Sequence, residues 1–161
     1  MFHIETKPNG IRVLFIDHNG IMSDSLQEYV EHQPFLEQGL SGHLLITGLG
    51  LGFINKFLLT ISDIKSVTIV EKYQEVIDLV WDSCSKDERF MLVLADAETW
   101  EPPRIYDYTW IDSWVGDTIH PSDEWVKTMK ERYAPFSKNL LFWYPNKDRQ
   151  HIEQVYNEEI I

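Results

Sequence analysis

The sequence predicts an α/β protein: a three-layer, Rossmann-like, mostly parallel sheet of about five strands, preceded by an antiparallel β-meander. Three observations predict it. From His43 onward, short apolar β-type runs alternate with helix-like stripes. Those runs are apolar at successive positions, as strands covered on both faces must be. Hairpin-type turn signals, Pro8-Asn9-Gly10 and Asn19-Gly20, stand in the first twenty residues.

The meander is expected over residues 2–6, 11–17 and 21–23. "SLQEYVEHQPFLEQG" follows as a helix capped by Ser23 or Asp24, interrupted near Pro34 and stopped by Gly39. Residues 1–40 form this first part and residues 41–161 the Rossmann-like part, together one compact unit. The strands of the second part are "HLLIT", "SVTIV", "FMLVLA", "YTWID" and "NLLFWYP". Between them, "YQEVIDLVWDSC" places Val76, Ile77, Val80, Trp81 and Cys84 on one helical face, and "PSDEWVKTMKERYAPF" spaces Trp125, Met129 and Tyr133 by four. "ETWEPPRIYD" is too short and proline-rich for a helix, and "NKDRQHIEQVYNEEII" carries a last stripe.

At 161 residues the chain is one domain's worth, long enough for a sizeable core. No apolar run approaches the roughly 20 residues of a membrane span, and the N-terminus lacks a secretory pattern. The single cysteine, Cys84, excludes an internal disulfide and a cysteine-based metal cluster, and a reducing cytoplasm is expected. The formal charge of −12, from 14 basic and 26 acidic residues, is a poor footprint for gripping phosphates, so nucleic acid is not an expected partner. A small cationic acceptor suits such a field better, the alternative being that the acidity only keeps the protein in solution.

His3, His18, His32, His43, His120 and His151 show no ligand spacing, so no metal site is expected, and surface or turn positions are. Cys84, Trp100, Trp110 and Trp125 are expected in the core.

"LLITGLGLGF" puts Gly48, Gly50 and Gly52 on a strand-to-helix turn, where backbone can approach a ligand and helix N–H groups are free. G-x-G-x-x-G is not met, since its third glycine would be Phe53 or Asn55. The second strand ends in Glu71, nineteen residues after Gly52, where a doubly wound fold places an acid for ribose hydroxyls. The third ends in Asp96-Ala97, a carboxylate for an adenine amine beside a small residue that leaves the ring room. The fourth ends in Asp112, with Ser113 and Trp114 behind it. Four successive strands thus end in glycine or acid on one side of the sheet.

These stretches, from His43 to Trp114, resemble the class I S-adenosylmethionine (SAM) dependent methyltransferase superfamily, and within it the spermidine synthase-like branch. The resemblance implies that SAM, or decarboxylated SAM, is the cofactor. Gly48, Gly50 and Gly52 would face its methionine part, Glu71 its ribose, and Asp96 with Ala97 its adenine. Asp112 matches the catalytic aspartate of aminopropyltransferases. Those enzymes continue as D-S-[ST]-D-P, whereas this chain reads "DSWVGD", with Trp114 and Val115 intervening and Asp117 displaced by two positions. Trp114, Asp117 and His120 are expected at the substrate pocket, and residues 116–123 as a lid or a plain loop.

The implied function is group transfer from SAM, foremost methyl transfer to a small molecule. The alternatives are aminopropyl transfer from decarboxylated SAM and a catalytically silent SAM-binding or assembly module. The family's sheet has seven strands, and the sixth and seventh are expected to be missing here. The meander or a second subunit is expected to cover the apolar edge at Leu140–Tyr144, which favours a homo-oligomer.

Overall fold

The computed structural model describes residues 1–114 and 121–144. Strands β1 (Phe2–Thr6), β2 (Arg12–Ile16) and β3 (Asn19–Ser23) form an antiparallel sheet in that order. The first turn closes at Gly10, whose N–H donates to the Lys7 carbonyl. The second turn differs from expectation. Ile16 pairs with Asn19, so the loop is Asp17-His18, with Asp17 at φ 53°. Asn19-Gly20 instead opens β3, where Gly20 lies opposite Phe15 and an added Cβ would stand 3.5 Å from that ring.

Helix α1 (Leu26–Leu36) is capped by Ser25, which accepts from the Glu28 N–H. It runs through Pro34, contrary to the expected interruption. The proline removes one N–H, but the helix ends two residues later, so the loss is confined to the last turn.

β4 (Gly42–Thr47) leads into α2 (Asn55–Leu58), a single turn. β5 (Ile64–Glu71), α3 (Gln74–Val80), β6 (Phe90–Leu94), β7 (Tyr108–Ile111), α4 (Asp123–Tyr133) and β8 (Leu140–Phe142) follow. Residues 95–107 contain no helix, as their prolines predict. The five-stranded sheet has the order β6-β5-β4-β7-β8 with every pair parallel. The chain therefore turns back on itself at β4, which lies between β5 and β7. In open α/β sheets the crevice at such a reversal, beyond the strands' carboxyl ends, is where ligands sit.

Alternation along β4 makes the layers. Leu44 and Ile46 join a core with Phe35, Leu58, Val76 and Val80, while Leu45 faces a second core with Val126, Met129 and Tyr133. Phe2 and Leu14 of the meander belong to the first core, so residues 1–40 and the sheet share one interior. α4 starts at Ser122, which accepts from the Trp125 N–H. Asp123 and Glu124 in its first turn and Lys130 and Arg132 in its last complement the helix dipole.

Trp110 is fully buried as expected, whereas Trp100 and Trp125 are half-buried. Cys84 packs beside the first core from the end of the α3 stripe. The meander forms its own sheet and makes no ladder with β8, the edge strand of the described sheet. The stripe in "NKDRQHIEQVYNEEII" and the expectation about strands beyond the fifth lie outside the described residues. Among the described residues, no helix is long and apolar enough to cross a membrane.

Candidate functional site

A cleft of about 1060 Å³, part of it open to solvent, lies over the carboxyl ends of β4, β5, β6 and β7. Of the expected site residues, Gly48, Gly50, Glu71, Asp96, Ala97, Asp112 and Trp114 line it. The meander closes the opposite side with Phe2, Leu14, Ile21 and Met22. Asp117 and His120 lie outside the described residues, as does most of the 116–123 segment.

The three glycines have separate surroundings. Gly48 follows β4 with φ 93°, its N–H donating to the Val70 carbonyl at 2.8 Å. A Cβ there would overlap the Asp112 carbonyl oxygen, so the glycine lets the ends of β4 and β7 close up. At Gly50 the space of a Cβ is taken by the Met22 sulfur, which also accepts the Leu51 N–H at 3.2 Å. Gly52 is not in the cleft lining; it faces Cys84 and Val80 and serves the packing of the turn against α3.

Glu71 is 6% exposed. Its Oε2 accepts the Leu49 N–H at 2.8 Å and its Oε1 accepts the Tyr73 N–H at 2.9 Å. Burial pushes this carboxyl above its usual range, against the pull of those N–H groups. Asp96 is the reverse case. The Glu98 N–H at 2.9 Å and Lys72 Nζ at 3.2 Å hold it below the usual range, so it is an ionised acceptor. Ala97 is buried, and its carbonyl accepts the Tyr133 hydroxyl at 2.6 Å, fixing it to α4. Trp114 meets Trp125 edge to face at 5.3 Å, and the Trp125 indole N–H donates to Glu98 Oε1 at 2.6 Å. Lys72 is the only cation among the described lining residues, against Glu28, Glu71, Asp96, Glu98 and Asp112.

Asp112 is held by its N–H to the Thr47 carbonyl at 3.0 Å. Its Oδ2 lies 3.1 Å from His32 Nε2. His32, expected at a surface or turn, is instead fully buried on α1, with Nδ1 2.8 Å from the Glu28 carbonyl oxygen. Both ring nitrogens are thus engaged, and none is left for a metal. Glu28, one turn earlier, lines the cleft, and its carboxyl comes within 3.8 Å of His32 Nδ1. Sequence reasoning missed both residues. The available signal was their four-residue spacing on a helix whose next stripe position is Phe35.

Burial, with the Asp112 charge nearby, pushes Glu28 up to about 8. A carboxyl with a raised folded value binds its proton more tightly when folded. Its stabilisation is complete below the unfolded value of 4.5 and is lost as pH rises toward 8. Glu28→Gln is expected to remove a slope of about 1.4 kcal/mol per pH unit across that window. Urea denaturation of both proteins at several pH values measures it, and parallel curves would refute the protonated Glu28.

No family model matches the chain, and no curated protein matches it by sequence. Solved structures do. Spermidine synthase from Thermotoga maritima superposes with a TM-score of 0.60 at 17% identity, over 97% of this chain and 58% of that one. A DhpI-SAM-HEP complex gives 0.55 at 15% identity, over 78% and 62%. The apo S-adenosylmethionine-dependent methyltransferase SibL gives 0.53 at 14% identity, over 79% and 39%. The chain spans less than two thirds of the length of each of these three. At such identities the likeness is one of fold, and the chain has the class I SAM-dependent methyltransferase-like fold.

Proposed function

We propose that this cleft binds SAM and transfers a group from its sulfonium to a small acceptor, foremost a methyl group. Glu71 carries the proposal. Each of its oxygens takes one backbone N–H, from the glycine turn and from the start of α3, and this holds the carboxylate rigid. A carboxylate so fixed keeps further lone pairs for a vicinal diol, and a ribose offers one. Asp96 would accept from an adenine amine, with Ala97 leaving room for the ring. Gly48 and the Met22-roofed turn at Gly50 would border the methionine end.

A sulfonium supplies a carbon already activated for attack. The protein's part is to align the acceptor, exclude water and take a proton. The Trp114–Trp125 pair and the meander's apolar side chains serve exclusion. Asp112, at the end of β7, would orient the acceptor and receive its proton.

Aminopropyl transfer from decarboxylated SAM is the second reading. It is favoured by the carboxyl groups of Glu28 and Asp112 on one cleft wall and by the spermidine synthase likeness, which takes in the meander. Calorimetric titration with SAM, its demethylated product, decarboxylated SAM and NAD tests both. SAM and its product are expected to bind and NAD not to. Preference for decarboxylated SAM would shift the assignment to aminopropyl transfer, and no binding by any of the four would overturn the proposal.

A further inference from the structure

We infer that His32 and Glu28 of α1 are working parts of this cleft, forming with Asp112 a buried relay that takes up the proton an acceptor loses. The inference rests on the proposed group transfer and adds to it the helix that handles the proton.

Geometry fixes the proton inventory. His32 Nδ1 faces the Glu28 carbonyl oxygen, which only accepts, so Nδ1 carries a hydrogen. Nε2 faces Asp112 Oδ2 at 3.1 Å, so one proton is shared along that line. His32 is fully buried, with Phe53 and Trp110 against its ring, and its hydrogen-bond partners Asp112 and Glu28 both line the cleft. Among the described residues, the charged groups beside the pair are acidic: Glu28 on α1 with Glu31 next to it, and Glu71 at the end of β5. Desolvation alone would lower the imidazole's proton affinity. The Asp112 hydrogen bond and charge outweigh it and raise it.

The transfer step then balances. The acceptor's X–H bond breaks and its proton goes to the carboxylate oxygen of Asp112 that His32 does not hold. The freed pair on X forms the bond to carbon, and the carbon–sulfur pair stays on sulfur. The positive charge lost when a sulfonium becomes a thioether reappears as that proton, so the cleft keeps its net charge. Asp112 is the catalytic residue. His32 is a positioning residue, holding the Asp112 carboxylate on the cleft side. Glu28 sets the charge the relay carries.

Two readouts on the folded protein test this. In the first, histidine ring resonances are followed by NMR against pH in wild type, Asp112→Asn and Glu28→Gln. The His32 midpoint is expected to fall by about one to three units in Asp112→Asn and to move less in Glu28→Gln. The second counts protons exchanged on binding SAM and its neutral demethylated product, by calorimetry near pH 8 in buffers of different ionisation heat. The cationic ligand is expected to release more protons than the neutral one, and the difference to vanish in Glu28→Gln. A merely packed histidine would not produce that difference. Binding with equal proton counts, or a His32 resonance indifferent to both substitutions, overturns the relay alone. Failure of both ligands to bind overturns the group-transfer function, and the relay with it.

Discussion

Gly48→Ala is expected to destabilise the fold by about 3 kcal/mol or more, the sum of backbone strain at positive φ and a steric clash in the core. The glycine has φ 93°, and an added Cβ would overlap the Asp112 carbonyl oxygen and stand 2.9 Å from its carbon. Both neighbours are backbone, so no side chain can swing aside. Relief requires the end of β7 to move from β4, and the bond from the Asp112 N–H to the Thr47 carbonyl at 3.0 Å resists that. Gly39 isolates the strain. Its φ is 71°, and a Cβ there meets nothing within 4 Å, so Gly39→Ala is expected to cost only about 1 kcal/mol. Urea denaturation of the two variants separates strain from clash. Equal losses would mean that the β4–β7 approach has slack. A Gly48→Ala protein that folds is also expected to bind SAM weakly, because Asp112 would have shifted.

Glu71→Ala is expected to weaken binding of SAM and of its demethylated product at least 100-fold. Two charge-assisted hydrogen bonds to a ribose are worth about 1.5–3 kcal/mol each. Because the thioether product carries the same ribose, both ligands should lose affinity by a similar factor, which a charge effect would not produce. The substitution also orphans the Leu49 and Tyr73 N–H groups that Glu71 accepts. A drop in melting temperature is therefore expected alongside, and titrations belong well below it. Undiminished affinity in a folded Glu71→Ala protein would remove the ribose role.

The parallel sheet was legible because its signals are local. Runs apolar at successive positions, such as "LLIT" and "VTIV", suit only strands covered twice, and the stripe of Val76 and Val80 repeats at helical spacing. The cleft residues were legible for a related reason. Each follows directly on a strand, so knowing the strands fixes which side of the sheet Gly48, Glu71, Asp96 and Asp112 share. Pro34 misled because its cost depends on how far the helix continues, and it continues only two residues. Asn19-Gly20 misled because pairing with β2 placed the tight turn two residues earlier, at Asp17-His18.

By itself, then, the sequence determined the order of strands and helices, the side of the sheet that carries the polar strand ends, and the acids standing there. Periodicity and chain punctuation act over a few residues and need no partner. Only the tertiary structure decided which groups meet across long separations. His32 reaches Asp112 across 80 residues, the Met22 sulfur seats itself over Gly50, and Gly52 turns from the cleft toward Cys84. These contacts follow no period. They arise where α1 and the meander pack over the strand ends, and burial there turned a histidine with no ligand spacing into the partner of an aspartate.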